Sequence, residues 1–207
     1  MSDVRPQNVL ENWLFTSLVT EDDQTRTYKY RLLVMITFVT GLLMWTYSFV
    51  ATFFVKGSAL AIIGFTCSII HLFSPLIYKK TKSMAASAYN MVIAGIVFQF
   101  SFAFFTGGFF SATLIWLAVL PMIVGILTNK THAIVWTLIS TSGVLLMFYL
   151  HQEGLCPQDS LSELGKVMVQ FLAALGLISL IGGFTLFFIE LSYFYSNRSQ
   201  IKSNLDP

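Results

Sequence analysis

His71 and Pro75 stand four residues apart inside an otherwise apolar stretch. Proline has no amide hydrogen, so the carbonyl of His71 loses its helical partner and a helix here is expected to kink. A freed carbonyl beside an imidazole makes a polar spot able to hold a ligand, although a neighbouring hydroxyl or water would satisfy the ring equally well. Pro121 does the same to the carbonyl of Leu117 in another apolar stretch. Asn90 and Gln99 share a third, but at nine residues apart they point to nearly opposite faces of a straight helix. Amides in apolar surroundings either contact a ligand or join helices by hydrogen bonds, and the second role is the commoner one.

The usual signatures of catalysis are missing. There is no Gly-rich phosphate loop ending in Lys-Ser/Thr, no metal-spaced Cys/His cluster and no pair of carboxylates within the apolar stretches. His71, His132 and His151 have no ligand spacing, so no cofactor and no enzymatic activity are expected of this chain. A net charge of +2 is too small to suggest nucleic acid. Cys67 falls in an apolar run and Cys156 in a loop, which argues against a disulfide between them.

The elements that hold these residues follow from composition. Hydrophobic residues make up 56% of the 207, charged residues only 11%, and Phe alone contributes 20. A soluble domain carries about 25% charge. The apolar residues here fall instead into continuous runs of the length a helix needs to cross a bilayer, about 20 residues. The expected fold is an all-α polytopic membrane protein, a six-helix up-and-down bundle spanning Leu32–Val55, Ser58–Tyr78, Met84–Phe105, Phe109–Thr128, Ala133–Leu150 and Val167–Ile189. Continuous rather than alternating apolarity selects helices over barrel strands. Breaks such as Lys56-Gly57 and Thr106-Gly107-Gly108 are so short that successive helices must lie side by side.

Ten Lys and Arg lie on the side of the two termini, against Lys56 and Lys166 on the other, which places both ends in the cytoplasm. Residues 1–30 form a cytoplasmic segment in which Leu10, Trp13, Leu14 and Leu18 recur at helical spacing, as an interfacial helix or as a partly ordered leader. Residues 31–190 are the bundle and 191–207 a cytoplasmic helical tail. In the sixth span Ala173, Gly176, Ser179 and Gly183 make a small-residue stripe suited to close helix packing, with Glu190 extending its face. Leu191, Phe194, Arg198, Ile201 and Leu205 then follow steps of three and four, as in a short coiled-coil seam.

The stretch Thr106-Gly107-Gly108-Phe109-Phe110-Ser111-Ala112-Thr113-Leu114-Ile115-Trp116, continuing to Leu120-Pro121, resembles a familiar membrane module. It is similar to the six-span N-terminal input region of bacterial sensor histidine kinases, also found ahead of membrane-anchored nucleotide cyclases. Ala112 stands where that family often has Pro. The resemblance implies a receptor in the bacterial inner membrane whose last helix carries a signal to a dimeric kinase or cyclase. The sequence ends at Pro207 with neither phosphoacceptor helix nor ATP-binding domain, so the output is expected beyond that point or on another chain.

With short external loops, a lipophilic small molecule or a property of the bilayer is the expected stimulus. The expected pocket lies in the outer half of the bundle near Gln99, Gly107, Gly108 and Trp116; Asn90 and His71 are separate candidates for ligand contact, and Pro75 and Pro121 are expected kinks. Gly176, Ser179 and Gly183 would serve packing, and Glu190, Leu191, Phe194 and Ile201 output through a homodimer. A small transporter and an assembly subunit of a membrane complex are the alternatives.

Overall fold

The computed structural model describes residues 21–55, 59–157 and 161–203. The amphipathic segment expected around Leu10 to Leu18 lies outside them. The described residues are helical, with a single isolated bridge pairing Val55 to Leu161. The helices are α1 (Glu21–Phe54), α2 (Ala59–Leu72), α3 (Ser74–Thr81), α4 (Met84–Phe105), α5 (Val119–Leu127), α6 (Lys130–Gln152) and α7 (Glu163–Ser203). A 3-10 turn (Gly108–Phe110) and a 3-10 segment (Ala112–Ala118) lead into α5. Five stretches, Arg26–Phe54, Ala59–Thr81, Met84–Phe105, Lys130–Gln152 and Glu163–Ile189, are long and apolar enough to cross a membrane.

Local chemistry sets the boundaries. Ser83 caps α4, its hydroxyl accepting from the Ala86 amide at 3.2 Å, and Asn129 caps α6 by accepting from the amides of Thr131 and His132. Gly107 and Gly108 both take positive φ, +110° and +62°, which lets the chain turn sharply out of α4.

The stretch expected as a single fourth helix differs most from that expectation. Its first seven residues, Ala112–Ala118, are 3-10, and only Val119–Leu127 is α. A 3-10 run this long is uncommon because its hydrogen bonds are poorer. Its position explains why it is tolerated. The 3-10 segment and α5 pack against α1, α4, α6 and α7, so Thr113, Leu114, Trp116 and Leu117 are all buried. Irregular backbone survives in an apolar medium only where other protein surrounds it. Pro121 falls in the first turn of α5, where a missing amide costs least.

Around this central segment, α1 packs on α2 and α7, and α4 on α2 and α3. The face of α7 turned inward carries Gly165, Val169, Ala173, Gly176, Leu180 and Phe184, spaced by three and four. Its opposite face exposes Phe171, Leu175, Ile178 and Leu186. Such a belt of exposed large apolar side chains is what lipid contact requires.

Candidate functional site

Gln99, Trp116 and His71 come together at one internal cavity of about 40 Å³. Helix α1 contributes Thr40, Met44 and Tyr47 to its wall, α2 His71, α4 Met91 and Gln99, and the central segment Trp116 and Leu120. The Trp116 indole N–H donates to the Tyr47 hydroxyl at 3.4 Å. Gln99 is only 9% exposed, and its side-chain oxygen Oε1 is buried with no hydrogen-bond partner. That space is enough to admit water and is far below the roughly 300–1,000 Å³ of typical small-molecule sites.

His71 is fully engaged. Its Nδ1 lies 3.0 Å from the carbonyl of Met91 and its Nε2 lies 2.7 Å from Oγ1 of Thr40. A carbonyl only accepts, so the neutral ring carries its hydrogen on Nδ1 and presents Nε2 as acceptor to Thr40. The Thr40 hydroxyl also lies 2.6 Å from the carbonyl of Ile36 and must divide one hydrogen between two acceptors.

The break expected at Pro75 is present: α2 stops at Leu72 and α3 begins at Ser74. The carbonyl of His71 accepts from the Ser74 hydroxyl at 2.7 Å. Asn90 reaches across from α4 and donates from Nδ2 to the carbonyl of Ile70 at 2.8 Å and to Oγ of Ser74 at 2.9 Å. Asn90 therefore splices the proline break to the next helix and does not line the cavity.

Gly107 and Gly108 also lie away from the cavity. A Cβ on Gly108 would stand 2.6 Å from Nδ1 of His151 and 3.0 Å from Sγ of Cys156, so the turn is lodged against the loop after α6. Gly107 lines a separate recess of about 220 Å³ with Thr106, Ser111, Lys166 and Gln170. Cys67 and Cys156 are both free thiols, and burial pushes the Cys156 thiol up.

On α7 the small residues divide. A Cβ on Gly176 would come within 2.8 Å of Cζ2 of Trp116 and 2.9 Å of Cδ1 of Leu43. Ser179 is exposed, and no heavy atom lies within 4 Å of a Cβ built on Gly183. Glu190, Leu191, Phe194 and Ile201 fall on the same unbroken helix, with their side chains outside the described ones.

Thr40 and Tyr47 were not singled out by sequence reasoning. Hydroxyls are frequent in apolar helices because they donate back to a carbonyl four residues earlier, as Thr46, Ser48, Thr52 and Thr185 do here. No sequence signal separates those from a hydroxyl with another task. Nor does a sequence signal mark the contact between Tyr89 and His132, which joins α4 to α6.

No group of three or more metal-ligating side chains occurs among the described residues. No family model matches the chain, and neither a curated protein nor a solved structure does.

Proposed function

We propose that this chain is a membrane-embedded signal-input module with six crossings and both termini in the cytoplasm of a bacterial cell. The sequence resemblance to sensor-kinase input regions and the one-sided distribution of Lys and Arg motivate the reading. Length supports the fourth crossing: seven 3-10 residues and nine α residues rise about 27 Å together, close to the roughly 30 Å of a bilayer's hydrocarbon.

The observation that carries the reading is the position of Trp116. It forms part of the cavity wall and simultaneously rests on α7 at Gly176. Helix α7 then continues unbroken for 41 residues, about 60 Å, twice what a crossing needs. Anything that moves Trp116 therefore bears on a rod that leaves the membrane. The 3-10 segment can supply the movement. Converting its seven residues to α would shorten it by roughly 3–4 Å. A stimulus acts only if it favours one of those two states over the other. The stimulus is a lipophilic molecule or a change in the bilayer, and the output is a kinase or cyclase paired through α7.

The test is a chimera of residues 1–203 followed by the dimeric catalytic region of a histidine kinase. Autophosphorylation in membranes should change severalfold when Trp116→Ala is introduced. Equal activity of the two chimeras, both folded, would refute the reading; uptake of solutes by liposomes holding the purified chain would favour a transporter.

A further inference from the structure

His151 lies in the last turn of α6 and Cys156 in the loop beyond it, and both are half-buried. The place of a Cβ on Gly108 is 2.6 Å from Nδ1 of His151 and 3.0 Å from Sγ of Cys156. The two donor atoms therefore converge beside the bare backbone of Gly108, where any side chain would fill the space between them. The Phe110 ring stands edge-on to the imidazole, with centroids 5.1 Å apart, and limits its rotation.

Neither donor is committed elsewhere. Cys156 is a free thiol, and the imidazole of His151 makes no hydrogen bond among the described residues. Cys67 and His71, one turn apart on α2, look similar in sequence. There, however, both ring nitrogens are taken, by Met91 and Thr40, and both residues are buried.

Thiolate and imidazole together suit soft and borderline metal ions. With bonds of roughly 2.3 Å to sulfur and 2.0–2.1 Å to nitrogen, an ion in line between the two holds them about 4.4 Å apart. Their two distances to the Gly108 point allow any separation up to about 5.6 Å. No third His, Cys, Asp or Glu joins the pair among the described residues. Zinc takes three or four protein ligands, so two leave it underbound. A monovalent ion with a filled d shell is satisfied by two ligands in a line, and thiolate selects Cu(I).

We propose that His151 and Cys156 form a two-coordinate site for a soft monovalent cation, Cu(I) or Ag(I), seated against Gly108. The ion bonds to Sγ and Nδ1, the thiol proton passes to water, and no electron is transferred. The site lies at the turn that leads into the 3-10 segment. Binding goes beyond the receptor reading and does not depend on it.

The probe is Cu(I) itself, supplied without oxygen to the purified full chain in detergent, in competition with a chromogenic Cu(I) chelator. One ion should bind per chain, with sulfur and nitrogen both visible in its X-ray absorption spectrum. Cys156→Ser should abolish binding. His151→Ala should weaken it by more than about tenfold, since loss of even an outer-shell partner costs 10–100-fold. Cys67→Ala should change nothing, and an equal amount of Zn(II) should not displace the copper. Alkylation decides the matter if Cys156→Ser does not fold: Ag(I) should protect Cys156 from a maleimide, and His151→Ala should need about tenfold more of it. Copper held as tightly by Cys156→Ser, equal affinity of His151→Ala and the unsubstituted chain, or an unprotected Cys156 would overturn the proposal. A spectrum with sulfur alone would place the ion on methionines or a single thiol and overturn it equally. Because the readouts are binding and alkylation and not kinase output, this inference and the receptor reading can fail separately.

Discussion

Trp116 rests on the bare backbone of Gly176, with Cζ2 of the indole 2.8 Å from where a Cβ would stand. Only glycine leaves that space. The contact joins the 3-10 segment Ala112–Ala118 to α7, the longest of the described helices.

Enlarging Gly176 should therefore disturb more than a helix surface. Gly176→Leu must displace Trp116 or Leu43, and overpacking of this kind costs about 1–3 kcal/mol. Gly183→Ala meets nothing within 4 Å and should be neutral or stabilise the helix by up to about 1 kcal/mol. Thermal unfolding of both variants in detergent checks the contrast; equal effects would mean that the Trp116 contact carries no strain.

Asn90 and Pro75 should be energetically coupled. Asn90→Ala removes one donor each from the carbonyl of Ile70, which keeps the Phe73 amide, and from the Ser74 hydroxyl, which still donates to His71, at a cost of about 1 kcal/mol. Pro75→Ala restores an amide and allows α2 to run on into α3, so the loss of Asn90 should then matter much less. A double-mutant cycle should return a coupling of about 1 kcal/mol. Strict additivity would show that Asn90 does not splice the break.

Two glycines with similar φ separate conformation from contact. Gly108 and Gly154 both lie near +60°, where a side chain costs about 1–2 kcal/mol. A Cβ on Gly108 also collides with His151 and Cys156, while one on Gly154 meets nothing. Gly108→Ala should be clearly the more destabilising in chemical or thermal unfolding. Equal losses would place the turn away from the α6 loop.

Gln99 should tolerate an apolar replacement. Its Oε1 is a buried acceptor with no partner, so Gln99→Leu should be neutral or stabilise the fold by about 1 kcal/mol. A loss of about 2 kcal/mol or more in the same unfolding assay would mean that the amide holds helices together.

Much of the fold was legible in the run lengths. The helix Met84–Phe105 lies where its apolar residues and the Ser83 cap place it. The proline break at Pro75 was equally open to reading, since the missing amide is a property of one residue. The 3-10 character of Ala112–Ala118 was not: an apolar run reads alike in either helix, and the neighbours that the segment packs against lie far away in sequence. At the site, treating polar residues in apolar helices as suspects singled out His71 and Gln99, but their meeting with Trp116 at one cavity depends on how three helices and the 3-10 segment pack and was not legible. The splicing role of Asn90 could not be read, because the carbonyls it serves belong to another helix.

The direct measurement is kinase activity of the chimera carrying Trp116→Ala, Gly176→Leu, or both. If Trp116 acts on α7 through Gly176, either change shifts output severalfold and the pair shifts it no further than the stronger single change. Unchanged activity in folded chimeras, or effects that simply multiply, would contradict transmission through this contact.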